Sequence, residues 1–190
     1  MTHTSGLPPY APVSELQEKY GSPNPKGLME YISTCKRESK PQTKFQYSCL
    51  NYITLQHIIE TITGQSLRDF AKENIFDILG MQYTDYLPTI QQQDGKWINT
   101  VACPWMDRIA PTEKQKDGSV LCGQVHDPLA RILNGGISGN AGIFSNANDI
   151  GILAAALLNG GEYNGHRILS PLGVKTMCTV PRELTAFGRT

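Results

Sequence analysis

At 190 residues, with 39% hydrophobic and 18% charged side chains, the chain is long enough for one domain with a buried core and too apolar in pattern to be disordered. Seventeen basic and seventeen acidic residues give a formal net charge of zero, so nothing electrostatic favours nucleic acid or an anionic membrane surface as a partner. No run approaches the ~20 apolar residues of a membrane span, and the five scattered cysteines (35, 49, 103, 122, 178) contain no C-x-x-C pair, which points to buried thiols instead of a zinc site or disulfide framework.

In chain order, the first residues have neither a basic stretch nor an apolar core, so they do not read as a signal peptide, and the compartment stays open. Gly6, Pro8, Pro9 and Pro12 make residues 5–13 an irregular loop. A helix is predicted over 25–36, with Asn24 as N-cap, Pro25 at its first position and Leu28, Met29, Tyr31 and Ile32 on one side. Lys40-Pro41-Gln42-Thr43 is a turn leading into Phe45-Gln46-Tyr47. From Ser48 to Thr63 the spacing of Leu50, Ile53, Ile58, Ile59 and Ile62 predicts a largely buried helix closed by Gly64. Ser66 then caps a further helix with Leu67, Phe70, Ala71 and Ile75 inward.

Residues 83–121 have weak periodicity, three prolines and a polar Gln91-Gln92-Gln93-Asp94-Gly95 turn; they read as a long excursion with short strands, of the kind that forms lids. Residues 134–144 are glycine-dense. Ser145 is the expected cap of a helix over 146–158 with Ile150, Leu153, Ala154, Leu157 and Leu158 as its apolar stripe. Asn164-Gly165 marks a tight hairpin turn, and Pro171 opens a last helix through Met177. The sum is a mainly helical chain without the strands for a complete sheet.

Taken by residue type alone, few positions suggest chemistry. Tyr47 reads as a buried aromatic whose hydroxyl meets the backbone, and Ser48 as a helix cap. Cys49 would need a depressed pKa to act as a nucleophile and has no histidine near it in sequence, so it reads as lining a site. His126-Asp127 could be an acid–base pair, but adjacent loop residues more often point apart. His3, His57 and His166 are too dispersed for a metal-ligand pattern, and the glycines of 135–142 lack G-x-G-x-x-G spacing after a strand. Ser33-Thr34-Cys35-Lys36 matches S-x-x-K, a pattern loose enough to arise often.

Four blocks in order say more. They are His3-Thr4-Ser5-Gly6-Leu7-Pro8; Phe45-Gln46-Tyr47-Ser48-Cys49; Arg108-Ile109-Ala110-Pro111-Thr112-Glu113 with Gly123-Gln124-Val125-His126-Asp127; and Gly139-Asn140-Ala141-Gly142-Ile143-Phe144-Ser145, continued by Asp149-Ile150 and Leu157-Leu158-Asn159-Gly160-Gly161. Together they resemble the serine β-lactamase-like hydrolases: class C β-lactamases, related esterases and DD-peptidases. The first block is similar to an HTSGLP loop, the second to F-x-Y-S-N, and the last to A-G-H-A-G-L-F-S-T-A-x-D-L…L-L-N-G-G.

The resemblance implies an α+β fold of the β-lactamase/transpeptidase type, of which residues 1–190 are the central, mainly helical portion of a single domain, lacking much of the sheet. The family's Ser-x-x-Lys nucleophile would precede residue 1; Ser33–Lys36 lies on the wrong side of the HTSGLP-like loop. The closing Lys/His-Thr-Gly strand would follow Thr190.

The implied reaction is acyl transfer through an acyl-enzyme, on an ester, amide or β-lactam-type substrate. Tyr47 would be its catalytic proton carrier, because a lysine beside a tyrosine lowers its pKa from about 10. Cys49 stands where asparagine is usual and would be a substrate-binding residue with little hydrogen-bonding power, a departure that favours an ester or other acyl substrate over a β-lactam. Asn140 stands where histidine is common and Gln42 where glycine is common, with no evident catalytic meaning. No cofactor or metal is expected, and the partner is a small-molecule acyl substrate. The alternatives are a non-catalytic binding or sensor protein on the same scaffold and an interaction module completed by another chain.

Overall fold

The computed structural model describes residues 2–179. These form two compact units, one of His3–Leu67 and Tyr86–Phe144, the other of Arg68–Asp85 and the described residues from Ser145 onward.

The first unit contains α1 (Val13–Tyr20), α2 (Pro25–Thr34) and α3 (Cys49–Thr63), with a π-helical turn at Leu129–Leu133. Their apolar residues meet in one core of Leu7, Ala11, Leu16, Leu28, Ile32, Leu50, Ile53, Leu129 and Leu133. The sequence gives little sign of α1, whose only buried residue is Leu16 and whose N-cap, Pro12, has no side-chain bond to offer. α2 starts as its sequence predicts: Asn24 Oδ1 accepts from Gly27 N–H at 2.8 Å, and proline occupies the first turn. It ends two residues early, because Cys35 is extended (φ −62°, ψ 144°). Ser33 and Lys36 therefore do not share a helical turn, and Ser33 Oγ donates to Glu30 O instead.

α3 runs as expected to Gly64 in the left-handed conformation. Its buried face differs from the expected one. Leu50, Asn51, Ile53 and Gln56 are buried, whereas Ile58 is 45% and Ile62 79% exposed. Asn51 and Gln56 can go inward because both find polar partners there, described below. The thiols also differ from expectation: all five are free, but Cys35, Cys49 and Cys103 are only half-buried, and Cys122 and Cys178 are exposed.

The long excursion has the short strands predicted for it. Thr89–Gln91 pairs antiparallel with Trp97–Asn99, and Glu113–Lys114 with Val120–Leu121. The glycine-dense loop lies against α3, and Gly139 is where they touch. A Cβ there would sit 2.1 Å from the Tyr52 carbonyl oxygen, so the approach requires glycine.

In the second unit, α4 (Leu67–Ala71), which begins at the last residue of the first unit, continues through a π-helical stretch, Lys72–Phe76, into α5 (Asp77–Leu79). α6 (Ala147–Leu158) and α7 (Pro171–Met177) flank a hairpin of Glu162–Tyr163 and His166–Arg167, whose turn residues Asn164 and Gly165 have φ of 48° and 77°. The cap of α6 is Asn146, not Ser145: Asn146 Oδ1 accepts from Asp149 N–H at 2.8 Å, while Ser145 Oγ pairs with Thr84 Oγ1 at 2.7 Å. Asp149 is buried and its Oδ2 accepts from Tyr83 N–H and Thr84 Oγ1–H, each at 2.8 Å, tying α6 to the segment that follows α5. Of the stripe expected on α6, Ile150 and Leu158 are exposed. Among the described residues no helix is long and apolar enough to cross a membrane.

Candidate active site

Three short segments of the first unit meet at the N-terminus of α3. The opening loop, residues 3–10, supplies a buried histidine and two carbonyls. His3 has φ of 54°, and its Nδ1 accepts from Ser48 N–H at 3.1 Å with Asn51 Nδ2 at 3.2 Å from the same nitrogen. The His3 ring lies 4.5 Å from that of Tyr47 and 5.3 Å from that of Tyr52, and meets Phe45 edge-on at 5.9 Å. Ser48 Oγ–H donates to Pro8 O at 2.6 Å, and Cys49 N–H to Pro9 O at 3.0 Å. Ser48 is fully buried and its hydroxyl is engaged, so it is neither a nucleophile nor a side-chain cap.

This anchoring turns Tyr47 outward. Tyr47 is 56% exposed rather than buried, and its hydroxyl lies beside the Cys49 thiol. The phenol pKa is raised above its ordinary value. The main cause is the neighbouring Cys49, whose ionised form would repel a phenolate, followed by partial desolvation. Burial likewise pushes the Cys49 thiol up, and the Asp127 carboxylate adds to it; hydrogen bonds from Asn140 and Tyr47 work in the opposite direction. Both groups are thus protonated at neutral pH, and Cys49 lacks the electropositive surroundings of a nucleophilic thiol.

The third segment supplies Asp127 and Asn140. Asp127 Oδ2 accepts from Tyr10 Oη–H at 3.1 Å, and Oδ1 from Ala130 N–H at 2.9 Å and Asn140 Nδ2–H at 3.3 Å. Tyr10 Oη also accepts from Leu129 N–H at 3.1 Å; burial, with Asp127 contributing, raises its pKa to about 12. His126 turns away from its neighbour, exposed and with Nδ1 3.6 Å from Glu113 Oε2. The result is a polar strip of Tyr47, Cys49, Asn140, Asp127 and Tyr10.

Behind the strip is a buried network. Ser138 Oγ–H donates to Asn140 Oδ1, and Asn134 Nδ2–H to Ser138 Oγ, each at 2.7 Å. Gln56 Oε1 accepts from Gly139 N–H at 3.0 Å and Asn134 Nδ2–H at 3.3 Å, and Gln56 Nε2–H donates to Ile137 O at 3.1 Å. Of the sequence candidates, the structure brings Tyr47, Cys49 and His3 together; His57 is exposed farther along α3, and His166 lies in the hairpin of the second unit. Tyr10 was not singled out, and Asp127 was weighed only as half of a His126-Asp127 pair; their signal was that Tyr10 follows the first block and Asp127 ends the third. Among the described residues no cluster of His, Cys, Asp or Glu could hold a metal ion.

Comparison with known proteins follows the same residues. The family described as Beta-lactamase matches residues 1–185. The "Putative D-alanyl-D-alanine carboxypeptidase" of Escherichia coli (strain K12) is 32% identical over 200 residues, covering 98% of this chain and 44% of that protein. The protein of the same description from Salmonella agona (strain SL483) is 30% identical with the same coverage. The chain therefore spans less than half the length of the curated relatives it matches. Among solved structures, a D-stereospecific amidohydrolase from Streptomyces sp. superposes with a TM-score of 0.61 at 18% identity, over 95% of this chain and 50% of its own. A beta-lactamase/D-alanine carboxypeptidase from Pseudomonas syringae gives 0.59 at 20% identity, over 91% and 39%. At such identities these structures establish the fold alone: the α+β architecture expected from the four blocks, represented here by its mainly helical part.

Proposed function

Because the chain belongs to the beta-lactamase family, we propose that it forms the tyrosine-bearing part of a serine hydrolase that works by acyl transfer on an ester, amide or β-lactam-type substrate. The nucleophilic serine comes from a Ser-x-x-Lys helix outside these 190 residues. The observation that carries the reading is the Tyr47 phenol, which the His3 clamp holds half-exposed at the head of α3, beside the Cys49 thiol. A phenol so placed can pass a proton to and from an alcohol approaching from solvent.

The raised pKa fits this division of labour. Without a cation beside it the phenol stays protonated at neutral pH and is a poor base. A lysine carried next to the serine would lower that pKa, so the partner helix would supply both the nucleophile and the field that activates Tyr47. Cys49 and Asn140 form the wall that meets the acyl group. The names of the curated relatives make a D-alanyl peptide one substrate to test, beside simple esters.

The 190-residue chain alone is then expected to be inert. Stopped-flow mixing with p-nitrophenyl acetate should show no burst of nitrophenolate above that given by a Tyr47→Phe variant. A burst that Tyr47→Phe abolishes would place a complete nucleophile within these residues and overturn the proposal.

A further inference from the structure

Asn140 lies in the glycine-dense loop, yet its side chain is oriented toward the reacting end of the site. Its Oδ1 is fixed by the Ser138 hydroxyl at 2.7 Å, and Ser138 is fixed in turn by Asn134; both are buried. The loop itself is clamped to α3 through the Gly139 N–H bond to Gln56. Holding Oδ1 inward directs Nδ2 toward Asp127 and Cys49. Neither acceptor holds it strongly. The Asp127 contact is long, at 3.3 Å, and a thiol sulfur is a weak acceptor. Asn140 is only half-buried, so part of the residue is open to solvent.

We infer that Asn140 determines specificity at the Tyr47 site by donating Nδ2–H to a second carbonyl oxygen, one that the substrate carries beside the carbonyl under attack, as an N-acyl amino acid or a peptide does. The inference rests on the hydrolase reading above. A carbonyl oxygen that displaces the Cys49 sulfur replaces a weak acceptor with a strong one. The donor is already aimed, so little ordering cost is added on binding. Cys49 gains a role in the same step, as a small, weakly bonding neighbour that leaves the donor available.

The test uses a polypeptide in which a Ser-x-x-Lys helix precedes these residues. It compares p-nitrophenyl acetate, which has one carbonyl, with the p-nitrophenyl ester of N-acetyl-D-alanine, which adds an amide carbonyl but keeps the leaving group. In Asn140→Leu the ratio of kcat/KM for the alanyl ester to that for the acetate should fall roughly 10- to 100-fold. Asn140→Ala should show the same fall and guards against a leucine variant that does not fold. Adding Cys49→Asn to Asn140→Leu places a carboxamide in the neighbouring space and should restore most of the ratio. An unchanged ratio in the folded single variants, or no restoration in the folded double variant, overturns the assignment. No turnover of the acetate by the unsubstituted polypeptide, or turnover indifferent to Tyr47→Phe, sinks the hydrolase reading instead and the Asn140 assignment with it.

Discussion

Tyr47→Phe, made in a polypeptide that carries a Ser-x-x-Lys helix ahead of these residues, is expected to lower kcat by roughly 10²- to 10⁴-fold, the range typical of losing a general acid–base group. The fold should hardly notice. The phenol is more than half exposed and its hydroxyl lies beside a half-buried thiol, so no buried polar group is orphaned when the oxygen goes. The ring, which supplies the stacking on His3 at 4.5 Å, remains. A melting temperature within about 4 °C of the unsubstituted protein, together with the loss of turnover, would separate chemistry from folding. Steady-state rates and thermal melts check both halves. If kcat stayed within a factor of two, Tyr47 would have no part in proton transfer.

The second large effect is on stability. In Gly139→Ala the new methyl would stand 2.1 Å from the Tyr52 carbonyl oxygen and 2.8 Å from its carbon, both backbone atoms of α3 that cannot swing aside. Something must move by more than an ångström, and the movement would break the Gly139–Gln56 bond that clamps the loop. Overpacking of this kind costs about 3 kcal/mol, and the loss of a buried hydrogen bond adds about 1 kcal/mol. A urea melt should therefore lose a large part of the stability of a small domain. Because the same loop carries Asn140 and Ser138, the change should also disorder the wall of the site. A midpoint unchanged within error would mean that the loop does not pack on α3 as described.

How much of this was legible in the chain depends on the range over which each feature is decided. The start of α2 is fixed by Asn24 and Pro25, the end of α3 by Gly64, the hairpin by Asn164-Gly165 and the last helix by Pro171; each is settled within four or five residues, and each appears where it was expected. α1 escaped notice because a single buried leucine makes no period. The face of α3 was misjudged for a different reason. The spacing of Ile58, Ile59 and Ile62 shows that an apolar face exists but not what lies across from it, while Asn51 and Gln56 point inward because a histidine 48 positions away and a loop about 80 positions away receive them.

The site divides along the same line. Tyr47 and Cys49 were found because they stand in one short block that could be matched to a family. Asp127 and Tyr10 are separated by 117 residues, and only the folded chain shows that they share a hydrogen bond. Asn140 was noticed as a departure from the family's usual histidine, but its orientation depends on Ser138, Asn134 and Gln56, which no local pattern links.

On the proposed mechanism, the phenol at the head of α3 serves a serine lying outside residues 1–190. Acid-quenching the longer polypeptide during turnover of p-nitrophenyl acetate and mapping the acetyl group by peptide mass spectrometry tests it most directly. One acetyl group is expected, on the serine of the Ser-x-x-Lys helix, with its formation slowed in Tyr47→Phe. An acetyl group on Cys49, Ser48 or Ser33 that builds up at the rate of turnover would contradict it.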